Sequence, residues 1–270
     1  MEKNVYMDSK VSKNLNNIAH KIVVLSGKGG VGKSTVSAYL ALSLVEKGYT
    51  VGLLDSDIHG PSIPKILGVE DKKPEPTPEG AINPVVVSQK LKVMSMGFLL
   101  HDRDVPVIWR GPLKMGAIKQ FIGDVKWGKL DYLIVDLPPG TGDEPLSIAQ
   151  LIPNSDGAII VTTPQDVALL SVRKSINFVK KMNMPIIGII ENMSGFKCPH
   201  CGKSIDIFKS GGGVKASIDF KVPFLGKIPI DPDIVESGDK GESFIIKKPQ
   251  SDTAKAFAEI VENIEKTVGR

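Results

Sequence analysis

The stretch that most constrains this chain is Gly27 to Thr35, which reads G-K-G-G-V-G-K-S-T. It follows the apolar run Ile22 to Leu25 and precedes a helix-like stretch from Ser34 to Glu46. Glycines allow backbone N–H groups to converge on phosphate oxygens, and a following helix adds the partial positive charge of its N-terminus. The order strand, glycine loop, helix therefore predicts a phosphate-binding loop at the start of an α/β domain.

Each polar side chain of this loop has its own expected contact with a bound nucleotide. We expect Lys33 to reach the outer phosphates, the Ser34 hydroxyl to bind Mg²⁺ and the Thr35 hydroxyl to contact a phosphate. The second lysine, Lys28, is not needed by the chain's own nucleotide; it either points across a dimer interface at the partner's phosphates, as an arginine finger does in trans, or is a solvated surface residue. The pattern K-G-G-x-G-K-S/T resembles the deviant Walker A loop of the MinD/ParA superfamily, in which two chains sandwich two ATP molecules.

Composition and charge exclude several classes of protein. With 34 basic and 30 acidic residues, the net charge of +4 is too small to indicate a dedicated nucleic-acid binder. No apolar run is long enough to span a bilayer, and the polar N-terminus lacks the apolar core of a signal peptide. We therefore expect a cytoplasmic protein that binds neither nucleic acid nor membrane.

Apolar runs that alternate with helical patterns run through most of the chain. Strands are predicted near residues 21–26, 50–54, 85–88, 91–96, 131–135, 157–161, 185–190 and 222–228, and helices near 33–47, 111–125, 165–182 and 252–268. This alternation predicts an α/β fold, a doubly wound and mostly parallel sheet flanked by helices. We expect residues 1–20 to form a flexible N-terminal arm, residues 21–270 a single domain, and the proline-rich residues 70–84 a loop.

Acidic side chains stand where two of these strands end. Asp136 ends the strand before L-P-P-G-T-G-D and resembles a Walker B acid, while Asp55 and Asp57 follow another strand in L-L-D-S-D-I-H-G. A P-loop enzyme needs such acids near its Mg²⁺, so Asp57 is a candidate for orienting the attacking water and Asp55 for supporting the metal. The alternative is that strand-end aspartates cap the following turn. We interpret His59 as a loop packing residue, whereas Arg110 either contacts a phosphate or the partner chain or forms a salt bridge.

The two cysteines of the chain, Cys198 and Cys201, form a C-x-x-C motif within a predicted metal loop at residues 196–204. A closed zinc or iron–sulfur site needs about four ligands, and one chain supplies only two cysteines. Two chains related by a two-fold axis would complete the set. Three interpretations remain open: an iron–sulfur cluster shared between subunits, a bridging zinc, or a redox dithiol. His200 lies inside the motif and is expected to face solvent.

Together these motifs resemble the Mrp (ApbC) family of iron–sulfur cluster carrier ATPases, a branch of the MinD/ParA-like proteins. The resemblance rests on the glycine loop, L-L-D-S-D-I-H-G-P-S, V-I-W-R-G-P, V-D-L-P-P-G-T-G-D, E-N-M-S-x-F-x-C-P-x-C-G, the run Gly211 to Gly213 and I-P-I-D-P-D-I. It implies a homodimeric, slow, Mg²⁺-dependent ATPase that bridges a 4Fe–4S cluster between Cys198 and Cys201 of two chains and delivers it to apo iron–sulfur proteins. It also implies that Lys28 reaches the partner chain and that Asp57 lies in a switch that positions water.

The resemblance further assigns the nucleotide contacts residue by residue. The phosphate and magnesium ligands would come from Gly29, Gly30, Val31, Gly32, Lys33, Ser34 and Thr35. The adenine would be held by Asn192, Pro229, Ile230 and Asp231.

Two other functions compete with cluster transfer. The chain could be an ATP-dependent positioning switch of the MinD or ParA type, with the amphipathic stretch Asp252 to Val268 as a membrane anchor. That helix mixes Glu with Lys on its polar face, which favours core packing instead. The chain could also be a nucleotide-binding protein with a structural bridging zinc.

Overall fold

The computed structural model describes residues 10–99, 111–152, 154–198 and 200–269. Its strands are β1 (Ile18–Leu25), β2 (Val51–Asp55), β3 (Glu75–Pro76), β4 (Ile82–Asn83), β5 (Val85–Ser88), β6 (Leu91–Ser95), β7 (Leu130–Asp136), β8 (Gly157–Thr162), β9 (Ile186–Glu191), β10 (Phe196–Lys197), β11 (Ser204–Ile205) and β12 (Phe224–Lys227). Its labelled helices are α1 (Lys33–Glu46), α2 (Ile63–Ile66), α3 (Gly111–Gly123), α4 (Asp143–Gln150), α5 (Asp166–Lys181), α6 (Gly212–Phe220), α7 (Pro232–Asp239), α8 (Phe244–Lys247) and α9 (Asp252–Val268).

The main sheet has eight strands in the described residues, in the order β12-β9-β8-β1-β7-β2-β6-β5. Neighbouring strands are parallel except for the edge strand β5, which pairs antiparallel with β6. Apolar cores cover both faces of the sheet, one formed with α1, α8 and α9 and the other with α3, α4 and α5. Since parallel strands are buried on both faces, they read as continuous apolar runs, and the predicted doubly wound α/β fold is confirmed.

Most predicted elements are present within a few residues of their expected bounds, including the hairpin of β5 and β6. The prediction missed the short helices α2, α4, α6, α7 and α8, which begin at or soon after glycine or proline residues that are typical of loops. Residues 70–84 were predicted to be a loop, but they contain the two-residue strands β3 and β4, paired at Glu75–Asn83 and Pro76–Ile82.

The predicted flexible arm is wrong for residues 10–20. Residues 10–15 are helical, and β1 begins at Ile18. Val11 and Leu15 are buried because their four-residue spacing places both on the side of this turn that meets the core beside α3. The Asn14 amide also donates to the carbonyls of Ile122 and Val125, both at 2.7 Å. Residues 1–9 lie outside the described part of the chain.

The apolar side of the last helix, α9, was considered either as a membrane anchor or as part of the core. Phe257, Ile260, Val261 and Ile264 are all buried in the core formed with α1. The expectation of core packing is confirmed, and this face is not available to a membrane. Among the described residues, no helix combines the length and the apolar character needed to cross a bilayer.

Candidate functional site

The glycine loop connects the carboxyl end of β1 to the first turn of α1. Gly30 and Gly32 both have φ of +78°, in the left-handed region where a side chain causes strain. A Cβ atom on Gly32 would stand 2.3 Å from Nδ2 of Asn192, whereas one on Gly29 would meet nothing within 4 Å. The loop therefore needs glycine at position 32 for two independent reasons.

Asp136 organises the polar side chains behind the loop. Its Oδ2 accepts hydrogen bonds from the Lys33 ammonium at 2.6 Å and the Ser34 hydroxyl at 2.7 Å, and its Oδ1 accepts from the Ser37 hydroxyl at 2.6 Å. Lys33 also donates to Ser34 at 3.2 Å. Asp136 is fully buried and Lys33 is 6% exposed, so this ion pair is shielded from water. The contacts orient both the lysine and the serine that were expected to bind phosphate and magnesium.

Asp55 and Asp57 occupy different environments although they are two residues apart. Asp55 pairs in register with Asp136 on the neighbouring strand, is fully buried, and accepts from the Ser95 hydroxyl at 2.9 Å and the Asp57 backbone N–H at 3.2 Å. Burial, and secondarily the nearby Asp136 carboxylate, raise the pKa of Asp55 to about 7. Asp55 thus lies behind the site and can act on a bound metal only indirectly.

Asp57 faces the loop. Its Oδ1 accepts from the backbone N–H groups of His59 at 3.0 Å and Gly60 at 3.3 Å, which fixes the turn after β2. No hydrogen bond reaches its Oδ2 from the residues that the structure describes. The capping alternative is therefore correct for one oxygen of Asp57, and the other oxygen is available to a ligand.

A cavity of about 240 Å³ lies between the glycine loop and Asp57. The structure brings together at its walls Ser26, Gly29, Gly30, Val31, Gly32, Lys33, Ser34, Thr35, Asp57, Gly60, Ser62 and Pro139. The Ser34 hydroxyl and the Asp57 carboxylate line the cavity, and the Asp136 carboxylate accepts from Ser34 behind it. Oxygen donors of this kind are the ligands that Mg²⁺ prefers, so the residues present fit that ion. Backbone N–H groups and Lys33 fit the phosphates beside it.

Lys28 is half-buried at the rim of the loop. Its carbonyl accepts from the Ser26 hydroxyl at 2.9 Å, which holds the turn. Its ammonium makes no hydrogen bond or ion pair with the described residues. This geometry leaves the ammonium available for a group outside the chain.

The expected adenine residues follow two neighbouring strands, with Asn192 at the carboxyl end of β9 and Pro229, Ile230 and Asp231 after β12. Asn192 is 8% exposed and donates from Nδ2 to the Val31 carbonyl at 2.9 Å, so in this structure it supports the glycine loop. Asp231 caps α7, accepting from the Asp233 backbone N–H at 3.0 Å and the Thr253 hydroxyl at 2.7 Å. Pro229 and Ile230 are half-buried beside it.

Cys198 and Cys201 are free thiols at the turn between β10 and β11. Cys198 is half-buried and Cys201 exposed. The backbone N–H groups of Cys201 and His200, together with the Cys201 thiol, lower the pKa of the Cys198 thiol and favour its thiolate. No group of three or more His, Cys, Asp or Glu side chains that could hold a metal occurs among the described residues. His200 is exposed to solvent, as expected.

Sequence reasoning missed several side chains that build the site. Ser37 binds Asp136 one helical turn after Lys33, a spacing that could have revealed it. Pro139 and Ser62 gave no signal because only the fold brings their loops to the cavity. His59 is 64% exposed at its side chain and lies 3.9 Å from Glu144, so its interpretation as a packing residue is wrong. Arg110 lies outside the described residues.

A glycine loop at the carboxyl end of a central parallel strand, with a lysine, a serine and an acid from the neighbouring strand behind it, defines a nucleotide-binding P-loop NTPase. Comparisons with known proteins narrow this class. The family described as "NUBPL iron-transfer P-loop NTPase" matches residues 17–265. The chain belongs to this family, which confirms the resemblance to iron–sulfur carrier ATPases seen in the sequence motifs.

Individual proteins give the same result. An iron-sulfur cluster carrier protein of Methanocaldococcus jannaschii is 55% identical over 96% of this chain and 89% of its own length. A nucleotide-binding protein of Archaeoglobus fulgidus, solved with ADP, superposes with a TM-score of 0.80 at 39% identity, covering 93% of this chain and 96% of that one. The septum site-determining protein MinD of Pyrococcus horikoshii, solved with Mg-ADP, superposes with a TM-score of 0.67 at 27% identity, covering 93% and 98%.

Proposed function

We propose that this chain is a homodimeric, Mg²⁺-dependent ATPase that carries a 4Fe–4S cluster between two subunits and delivers it to apo iron–sulfur proteins. The observation that carries the proposal is the pair of free thiols at the tip of the β10–β11 hairpin, which would supply half of a four-thiolate site. The relative from Methanocaldococcus jannaschii, named an iron-sulfur cluster carrier protein, supports the cargo. A reducing compartment such as the cytoplasm keeps such thiols free.

The surroundings of the cysteines support a second copy of the chain as the source of the other two ligands. Ile205, Ile207 and Phe208 follow Cys201 closely and are 48%, 53% and 38% exposed. An apolar patch beside an incomplete ligand set is typical of an interface. Covering it would also keep water from the cluster, which is the substrate of the transfer.

The hydrolytic machinery follows from the cavity. The backbone N–H groups of the loop and Lys33 would hold the phosphates, and Ser34, with Asp136 behind it, would hold Mg²⁺. When bound, the ion would neutralise charge on the phosphates. The available Oδ2 of Asp57 would orient the attacking water. Lys28 would reach the phosphates of the partner chain and stabilise the charge that develops there. Hydrolysis would be slow, and nucleotide state would change the dimer and its hold on the cluster.

Anaerobic reconstitution with iron and sulfide tests the cargo and the ligand count together. We expect about four iron and four sulfide ions per two chains, with a dimer in light scattering. The variants Cys198→Ser and Cys201→Ser should each lose the cluster, because a two-chain site would then lack two of its four thiolates.

His200→Ala is the matched control, since it changes an exposed side chain in the same turn. It should bind iron and sulfide as the unaltered protein does. Zinc without sulfide at the same cysteines would contradict the cargo and support the structural zinc alternative. A monomer under every nucleotide and metal condition would contradict the whole arrangement.

A further inference from the structure

The cysteine segment, residues 195–210, is held mainly at its two ends. Residues 201–210 are all exposed, so this part of the segment packs little against the rest of the chain. The exposed ion pair of Lys197 with Asp252, at 3.0 Å, is a weak tether because water screens it. The position of the thiols therefore depends on what holds the segment where it leaves and rejoins the core.

Both ends converge on one carboxylate, Glu191, which ends β9 and is fully buried. At the start of the segment, the Ser194 hydroxyl donates to its Oε1. At the end, the backbone N–H of Gly211 donates to Oε1 at 3.0 Å, and that of Gly213 donates to Oε2 at 2.5 Å. A buried carboxylate at the N-terminus of α6 is stabilised by the helix dipole as well as by these donors.

The last residue of the triple glycine is explained by the same contact. A Cβ atom on Gly213 would stand 3.0 Å from the Glu191 Cβ and 3.1 Å from its Oε2, and one on Gly212 would stand 2.4 Å from the Pro164 carbonyl oxygen. Gly211 has φ of +91°. A side chain at Gly213 would crowd the carboxylate, one at Gly212 would clash with the Pro164 carbonyl, and one at Gly211 would strain the backbone, so each glycine is needed for its own reason.

The residue after Glu191 contacts the nucleotide loop. Asn192 donates to the Val31 carbonyl at 2.9 Å, and its own backbone N–H donates to the Thr162 carbonyl at 2.8 Å. Two successive residues at the end of β9 thus hold the phosphate-binding loop and both ends of the cysteine segment. A displacement of the loop would be passed to the segment through a single peptide unit.

We propose that Glu191 is a positioning residue that couples the nucleotide state of the loop to the placement of Cys198 and Cys201. The inference rests on the proposed function, in which these cysteines bind the cargo. It adds the route by which nucleotide acts on them. Because Glu191 contacts neither the cavity nor the thiols, it does not take part in hydrolysis or in metal binding itself.

Thiol reactivity of the metal-free protein provides a readout that needs no cluster. The chain has two cysteines, so mass gain on iodoacetamide treatment reports Cys198 and Cys201 alone. We expect Mg-ADP or a non-hydrolysable ATP analogue to change the alkylation rate of the unaltered protein by about fivefold or more, the lower range of coupling between linked sites.

The variant Glu191→Gln should bring the ratio of alkylation rates with and without nucleotide to about one. Each carboxylate oxygen of Glu191 accepts hydrogen bonds from N–H or O–H groups, and the glutamine NH₂ that replaces one of these oxygens cannot accept them. Nucleotide binding, measured on the same sample, should be retained, because Glu191 does not line the phosphate-binding cavity. The matched control is Glu236→Gln, which removes an exposed carboxylate paired with Lys240 and should keep the full ratio. Loss of the ratio with retained nucleotide affinity is a result that simple destabilisation would not produce.

A second variant decides the matter if Glu191→Gln does not fold. Ser194→Ala removes one of the three donors and leaves the charge in place, so the ratio should fall to an intermediate value. An unaltered protein whose thiols react at one rate with and without nucleotide would overturn the proposal, as would a folded variant with the original ratio. Failure of the proposed function would give a different result. The protein would then bind no iron or sulfide on reconstitution, while nucleotide would still change the alkylation rate of the thiols.

Discussion

Alanine substitution at three glycines of the phosphate-binding loop should separate backbone strain from steric contact. Gly29 has a φ that any residue tolerates and open space at its Cβ position, Gly30 has φ of +78° with open space, and Gly32 has φ of +78° with Asn192 at 2.3 Å. The three sites lie within four residues, so each variant is a matched control for the others. We expect the free energy of unfolding to fall in the order Gly29→Ala, Gly30→Ala, Gly32→Ala.

The magnitudes follow from these geometries. Gly29→Ala should be neutral or stabilise by up to about 1 kcal/mol, because alanine restricts the unfolded chain. Gly30→Ala adds a left-handed alanine, which costs about 1–2 kcal/mol and leaves a net loss of about 0–1.5 kcal/mol. Gly32→Ala also displaces the Asn192 amide from the buried Val31 carbonyl, which costs a further 1–3 kcal/mol or so and gives a net loss of about 1–4.5 kcal/mol.

Urea unfolding of the three variants without nucleotide provides the measurement. Adding Asn192→Ala to Gly32→Ala should lower the stability little further, because the hydrogen bond from Asn192 to the Val31 carbonyl is already lost in Gly32→Ala. Equal stability of Gly30→Ala and Gly32→Ala would refute the role assigned to Asn192. A destabilised Gly29→Ala would refute the geometric reasoning as a whole.

Two further predictions concern the acids behind the loop. Ser37→Ala should lower the free energy of unfolding by about 1.5–3 kcal/mol, because the lost hydrogen bond is made to the charged Asp136 carboxylate. The matched control is Ser175→Ala, which removes an equally buried hydroxyl that bonds only to a helix carbonyl. In urea unfolding this control should cost about 1 kcal/mol or less. Equal losses of stability in the two variants would contradict the role of Asp136. For Asp55, a pKa of about 7 in the folded state against 3.8 in the unfolded chain means that the folded state holds the proton more tightly. Its contribution to stability is full below the lower value and is lost as pH rises through the higher one. The unaltered protein should therefore lose stability relative to Asp55→Asn between pH 5 and pH 8, and parallel pH profiles would exclude the raised pKa.

The sequence predicts secondary structure most accurately where a local pattern of residues is compatible with one backbone conformation. The glycine loop, the apolar strands and the amphipathic helix α9 were all recognised, because each is specified by neighbours in the chain. The short helices α4 and α6 were missed, since they begin at glycine runs that resemble loops. The turn at residues 10–15 was missed because its polar residues outnumber the two that are buried.

Residue roles that depend on partners distant in the chain were predicted only in outline. Asp55 and Asp57 gave the same signal in the sequence, but the sheet register places one against Asp136 and turns the other toward the cavity. Glu191 gave no signal beyond its place in a motif, because its donors come from Ser194 and from glycines 20 and 22 residues away.

The amino-acid sequence by itself determined the class of fold, the phosphate-binding loop and the pair of cysteines, because strand periodicity, glycine spacing and the C-x-x-C interval are properties of consecutive residues. Only the tertiary structure decided which acid binds Lys33, which oxygen of Asp57 stays available, and how the two functional loops meet at the end of β9. The reason is that burial and hydrogen-bond partners are set by the strand order of the sheet, which joins residues more than a hundred positions apart.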